Sequence, residues 1–159
     1  MKVHTYEKAF LWAGAVMLVV FMITLALTSY TMGITLPDDV DRIDPTQVRS
    51  MPPFDNPGVR ETAPGKYEVV MIGQAWSFTP NEIRVPAGAE VTFLMTTPDV
   101  IHGFHVEGTR LNVMLIPGQV ARVSYTFDEP GEHLIICHEY CGIGHHNMWG
   151  RVIVEEVAG

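Results

Sequence analysis

Between residues 9 and 36 the chain carries no charged side chain, and residues 9–27 are apolar except for Thr24. A helix rises about 1.5 Å per residue, so roughly 20 such residues cross the hydrocarbon core of a bilayer. The run meets that length. Trp12 near one end and Tyr30 near the other suit the interfacial positions that amphipathic aromatics favour. Lys2 and Lys8 precede the run, whereas Asp38, Asp39 and Asp41 follow it before Arg42. Positive charge on the N-terminal side places that side in the cytoplasm and the bulk of the chain across the membrane. A cleaved signal peptide is the rival reading. Its apolar core spans about 7–15 residues and ends at a small-residue cleavage site. The run here is longer, and residues 28–33 make a poor cleavage site, so residues 1–36 are read as a retained single-pass anchor.

Residues 37–66 hold six of the chain's eleven prolines: Pro37, Pro45, Pro52, Pro53, Pro57 and Pro64. Proline fixes φ and lacks an N–H, which bars helix interiors and central strands. This stretch is therefore expected to be a linker running over a surface. From residue 67 to 159 the pattern becomes that of strands. Residues 67–72, 82–85, 90–95, 110–115, 120–127, 133–136 and 149–154 are β-branched or alternating, with Pro-Gly turns at 117–118 and 130–131. Short strands so punctuated predict an all-β sandwich or barrel. The formal net charge of −8 excludes nucleic acid as a partner, since phosphates demand a basic face, and suits a basic or neutral protein partner.

Chemistry concentrates where one strand ends and the next begins. Cys137, Glu139, Cys141, His145 and Met148 fall within a single loop, with Gly142 and Gly144 allowing it to bend tightly. Two cysteines alone fit one local disulfide, two buried thiols or a metal site. With imidazole and thioether added they form a soft donor set that favours copper over magnesium or calcium. Zinc is the competing metal, since sets of two Cys and two His suit it. A mononuclear blue-copper site uses one Cys, two His and a Met. Cys141, His145 and Met148 supply part of it, and Cys137 is then one thiolate too many. Two adjacent thiolates can instead bridge two metals. The second imidazole must come from residues 99–105. His102 and His105 are an odd number apart, so on a strand they point to opposite faces and only one is expected at the metal. His4, His133, His138 and His146 are read as ordinary surface or core histidines.

The pattern Cys137-x-Glu139-x-Cys141-x3-His145-x2-Met148, preceded by His102, resembles the CuA site of cytochrome c oxidase subunit II. The runs at residues 97–108 (TPDVIHGFHVEG) and 135–148 (IICHEYCGIGHHNM) carry the likeness. It extends over anchor, linker and domain, and is nearest to the single-helix subunit of B-type haem-copper oxidases. The resemblance implies a cupredoxin-like Greek-key β-sandwich and a binuclear copper cofactor. Cys137 and Cys141 would bridge both ions, His102 and His145 would each bind one, Met148 would bind one weakly, and the main-chain carbonyl of Glu139 would serve the other. It also implies cytochrome c, or a similar small donor, as one partner and the haem-bearing subunit I as the other. Oxygen would be reduced in subunit I, with proton translocation. Trp76 matches the region where the donor delivers electrons. The copper domain would lie on the periplasmic or extracellular side of the cell membrane.

Three rivals make different demands. A tethered blue-copper carrier would leave Cys137 dispensable. A copper-delivery protein of thioredoxin-like fold would carry its distant His after the cysteines, not before. Nitrous oxide reductase shares the CuA motif but needs a large propeller that this chain has no room for.

Overall fold

The computed structural model describes residues 4–32 and 41–156. Lys2, Pro37, Asp38 and Asp39, used above for orientation and boundaries, lie outside the described residues. The chain divides into two units, Met1–Asp38 and Asp39–Gly159.

The first unit is a helix, α1 (Thr5–Thr31), of 27 residues. Glu7 closes its first turn by accepting the His4 N–H at 2.8 Å. None of its side chains is buried, and Phe10, Leu11, Trp12, Leu18 and Phe21 all face outward. The one polar residue inside the apolar run, Thr24, satisfies its hydroxyl on the Val20 carbonyl at 2.8 Å. By length and composition this helix can cross a membrane.

The second unit is two sheets face to face. The first has the order β1 (Gly58–Ala63), β2 (Lys66–Gln74), β5 (Glu90–Thr96), β8 (Ala121–Thr126), with β3 (Ser77–Thr79) paired to the end of β2. The second runs β4 (Glu82–Pro86), β10 (Trp149–Glu155), β9 (Gly131–Ile136), β6 (His102–Val106), β7 (Asn112–Leu115). Two neighbours, β2 with β5 and β4 with β10, are parallel, and the rest are antiparallel. The all-β sandwich expected from the sequence is present. Its core is filled by alternate residues of both sheets, among them Val69, Met71, Phe93, Phe104, Ile135 and Val152. Phe93 lies against Phe104 at 5.4 Å and against Phe127 at 6.5 Å between ring centres.

The proline-rich stretch is more ordered than its composition suggests. Pro45–Ser50 is a 3-10 helix whose first turn is capped by Asp44, which accepts the Thr46 N–H at 2.9 Å. Pro45 sits where a missing N–H has no consequence. Strand β1 lies at a sheet edge between Pro57 and Pro64, which fall just outside it. Ile43, Val48 and Phe54 pack on Val70, Ile72 and Leu94, on the outer face of the first sheet. Strand β2 is thus buried on both faces over residues 69–72, which is why it reads as a continuous apolar run and does not alternate.

Candidate metal centre

His102 opens β6 with its side chain fully buried inside the sandwich. Cys137 follows β9 directly, and its N–H donates to the Met148 carbonyl at 3.3 Å. That bond closes a loop from 137 to 148, whose far end is a single 3-10 turn at His145–Asn147. The two strands that carry the loop are themselves paired, Ile136 opposite Trp149. A local hairpin therefore holds the whole Cys-to-Met motif, and only His102 comes from a distant segment.

The geometry collects every expected ligand. Donor atoms of His102, Cys137 and Cys141 all lie within 4.8 Å of one another. The sulfurs of Cys137 and Cys141 are 3.9 Å apart, and both cysteines are free. Nδ1 of His102 is 3.9 Å from the Cys137 sulfur, and the Glu139 carbonyl oxygen is 3.2 Å from it. Nδ1 of His145 is 3.5 Å from the Cys141 sulfur, and the Met148 thioether is 3.7 Å from it. Both cysteines are only 7% exposed. His105 turns the other way, as its spacing predicts, and bonds the Leu111 carbonyl at 2.9 Å. His133 engages the Glu107 carbonyl at 3.1 Å, and His146 engages the Asn147 side chain at 3.1 Å.

Two thiols, two imidazole Nδ1 atoms and a thioether converging with no disulfide between them form a soft donor set, and it fits copper. Burial pushes the Cys141 thiol up to about 11, and the neighbouring Cys137 adds to the rise. A metal that binds here must displace that proton.

One contributor was not singled out in the sequence. Asp99 Oδ1 meets His102 Nε2 at 2.9 Å, which orients the ring so that Nδ1 faces the sulfurs. Burial alone would push the Asp99 carboxyl up. Hydrogen bonds from the Ala75 N–H, His102 and the Val100 N–H outweigh that and hold it below the usual carboxylate range. An acid three residues before His102 was the available signal.

Trp76 covers the other side of the loop. Its indole N–H donates to the Cys141 carbonyl at 3.0 Å, and the residue stays 44% exposed. Glycine is required beneath the ring, because a Cβ on Gly144 would lie 2.3 Å from the indole Cδ2. Gly144→Ala is accordingly expected to dislodge the indole. The readout is tryptophan emission and quenching by iodide, with Trp12 and Trp149 contributing a constant background. Unchanged quenching would mean that the ring is not seated there.

A β-sandwich whose hairpin loop gathers buried soft donors in this way is a copper-protein domain by its fold and donor set. The chain belongs to the cytochrome c oxidase subunit II family: residues 68–157 match the model described as cytochrome C oxidase subunit II, periplasmic domain. It is thereby part of a haem-copper oxidase complex, an oxidoreductase. Cytochrome c oxidase subunit 2 of Thermus thermophilus is 47% identical over 155 residues, 95% of this chain and 92% of the relative. Nitrous-oxide reductase of Stutzerimonas stutzeri is 33% identical over 105 residues, but these are only 16% of that protein. Among solved structures, a chain of a haem-copper terminal oxidase dimer superposes with a TM-score of 0.77 at 32% identity, covering 94% of this chain and 99% of that one. The periplasmic domain of subunit II (CoxB) from Bradyrhizobium japonicum shares the fold, with a TM-score of 0.52 at 22% identity. Helix α1 and the matched domain together fit a single-pass membrane protein.

Proposed function

We propose that this subunit takes electrons from a cytochrome c at a binuclear copper centre and passes them to the haems of subunit I, where oxygen is reduced to water with proton translocation. The observation that carries the reading is the near-symmetry of the donors. Each sulfur has its own imidazole and its own weaker donor: His102 and the Glu139 carbonyl beside Cys137, His145 and Met148 beside Cys141. A single metal would leave half of that set unused. A copper pair held by Cys137, Cys141, His102, His145, Met148 and the Glu139 carbonyl would supply a one-electron carrier whose charge is spread over both ions.

The protein's part is to hold the donors still and dry. His102 is locked by Asp99, which is itself tied to the Ala75 N–H at 2.8 Å. The backbone of the 137–148 loop is pinned at its base by β9 and β10 and on its flank by Trp76. Preorganised donors need little rearrangement when the charge changes. Trp76, half-exposed and bonded to the Cys141 carbonyl, offers a donor protein a path to the centre. Trp76→Ala is expected to slow reduction by cytochrome c by at least about tenfold while the copper content holds, since tenfold corresponds to only ~1.4 kcal/mol of barrier. Unchanged donor kinetics with full copper would remove Trp76 from that role.

The same reading puts residues 1–36 across the cell membrane with the N-terminus cytoplasmic, and residues 67–159 on the periplasmic or extracellular side. The family model's own periplasmic description supports this placement. The deciding experiment loads the full chain in detergent with copper and measures the copper-to-protein ratio with the electron paramagnetic resonance spectrum. Two coppers sharing one electron equally support the proposal. One copper with a mononuclear pattern leaves a blue-copper carrier in its place.

A further inference from the structure

The donors at the centre are almost sealed. His102 is fully buried, the two cysteines nearly so, and Trp76 lies over Gly142 and Gly144 on one flank. Copper must still reach them. The opposite flank, on the outer face of the second sheet, carries two soft donors that the centre itself does not use.

Gly103 and Met114 are direct partners across β6 and β7. Their neighbours His102, Phe104 and Leu115 are buried inward, so by strand alternation position 103 and Met114 face out. The β6–β9 register ends with His105 opposite Ile136. Continued by two residues, it sets His138 opposite Gly103. The His138 ring lies flat over that glycine: a Cβ there would be 2.5 Å from Cδ2 and 2.6 Å from Nδ1 of His138. The imidazole thus occupies the space where a side chain of residue 103 would stand, in the same cross-strand row as residue Met114. Strands in a sheet are about 4.8 Å apart, which puts the two groups within reach of a shared ion. Met114 is 46% exposed. The Glu139 carboxylate lies 3.5 Å from His138 Nδ1, adding negative charge and engaging Nδ1 rather than Nε2. Beneath the ring, the Gly103 N–H donates to the Cys137 sulfur at 3.4 Å.

We propose that Met114 and His138 form a docking site for copper(I), through which the metal reaches Cys137. Thioether and imidazole together select a soft monovalent ion over the hard cations that outnumber it. The hand-off is a ligand exchange without redox change. The ion leaves the thioether and imidazole and bonds to the Cys137 sulfur, whose proton passes to water. This rests on the copper reading of the neighbouring thiols, but the site has its own donors and its own test.

The test uses the full chain in detergent, without oxygen, with copper(I) supplied from its bicinchoninate complex. A Cys137→Ser/Cys141→Ser/His145→Ala/Met148→Leu variant, lacking both thiols and two of the centre's other donors, is expected to hold one copper(I). Adding Met114→Leu should weaken that binding by about tenfold or more, the loss typical when a supporting group of a metal site is removed. Equal binding with and without Met114 overturns the proposal, as does no binding at all by the thiol-free variant. Met114→Leu in the otherwise unaltered chain gives a second measurement. The copper–thiolate absorption should rise at least about fivefold more slowly and reach the same final copper content, since an outer donor is lost and the inner ones kept. An unchanged rate overturns the docking role. The final copper count separately reports on the binuclear reading: one copper per chain with a Met114-dependent rate would sink the copper pair and leave the docking site standing.

Discussion

Cys141→Ser is expected to leave a folded protein that cannot form the proposed copper pair. A serine hydroxyl is a hard donor and stays protonated where a metal-bound thiol ionises, so the bridge from the 141 position is lost. Copper affinity should fall at least about a hundredfold, the upper end of what even indirect damage to a metal site produces. The electron shared between two nuclei should disappear from the spectrum. Cytochrome c-driven oxygen consumption by the assembled complex should fall with it. The fold should survive, because the side chain is nearly the same size and the new hydroxyl has a partner at hand in His145 Nδ1, now 3.5 Å from the sulfur. Metal analysis and spin resonance, set beside circular dichroism of the metal-free chain, separate lost chemistry from lost structure. Retention of two coppers with an unaltered spectrum would show that Cys141 is no bridge. Cys137→Ser should behave alike under the binuclear reading. Under the blue-copper alternative it should be harmless, so the pair of variants distinguishes the two.

The centre was legible because its chemistry is compressed into one hairpin: five of the six proposed ligands lie between Cys137 and Met148, and their types name the metal class without a fold. The strand argument required only that one of His102 and His105 reach the metal, and the family resemblance picked His102; the structure gives the two rings different partners, the Cys137 sulfur and the Leu111 carbonyl. The alternating strands β4 and β8 were equally clear, since β4 alternates with a buried face and β8 alternates half-buried with exposed residues. Less was visible where partners lie far apart in the chain. Strand β3 has three residues, too few to show a period, and β1 is an edge strand with no buried residue. Asp99 acts on the centre only through a ring three residues away, and Met114 shares a row with His138 only through their common neighbour Gly103, across three strands. The covering segment was the largest omission. Ile43, Val48 and Phe54 repeat at neither the strand nor the helix period, so nothing local marks them as core. The signal lay elsewhere, in the unbroken apolar run of β2, which demands cover on both faces.

That covering segment supplies the second large expected effect. Phe54 is 1% exposed and packs with Val48 and Ile43 against Val70, Ile72 and Leu94. Its backbone is fixed as well, the N–H donating to the Met51 carbonyl at 2.8 Å. Truncating a buried Phe to Ala typically costs about 3–5 kcal/mol, from lost burial plus the cavity left behind. The unit Asp39–Gly159 lies between the size classes for which each kcal/mol lowers the midpoint by roughly 4–8 °C and roughly 2–4 °C, so Phe54→Ala should melt about 10 °C or more early. Thermal unfolding of the metal-free chain, followed by the strand signal, measures this. Thr62→Ala, an exposed change on β1, is the control and should move the midpoint little. The copper spectrum of Phe54→Ala at low temperature should be normal, because its cavity opens on the outer face of the first sheet, whereas the metal donors come from β6 and the β9–β10 loop of the second. Among the described residues, a direct link from this segment toward the site is the exposed bond from Arg49 to the Gln74 side chain, two residues before Trp76. A midpoint shift no larger than the control's would show that residues 43–54 drape over the sandwich without belonging to its cooperative core. A large shift accompanied by an altered copper spectrum would show the reverse of independence: the cover and the metal loop would form one unit, coupled through Gln74.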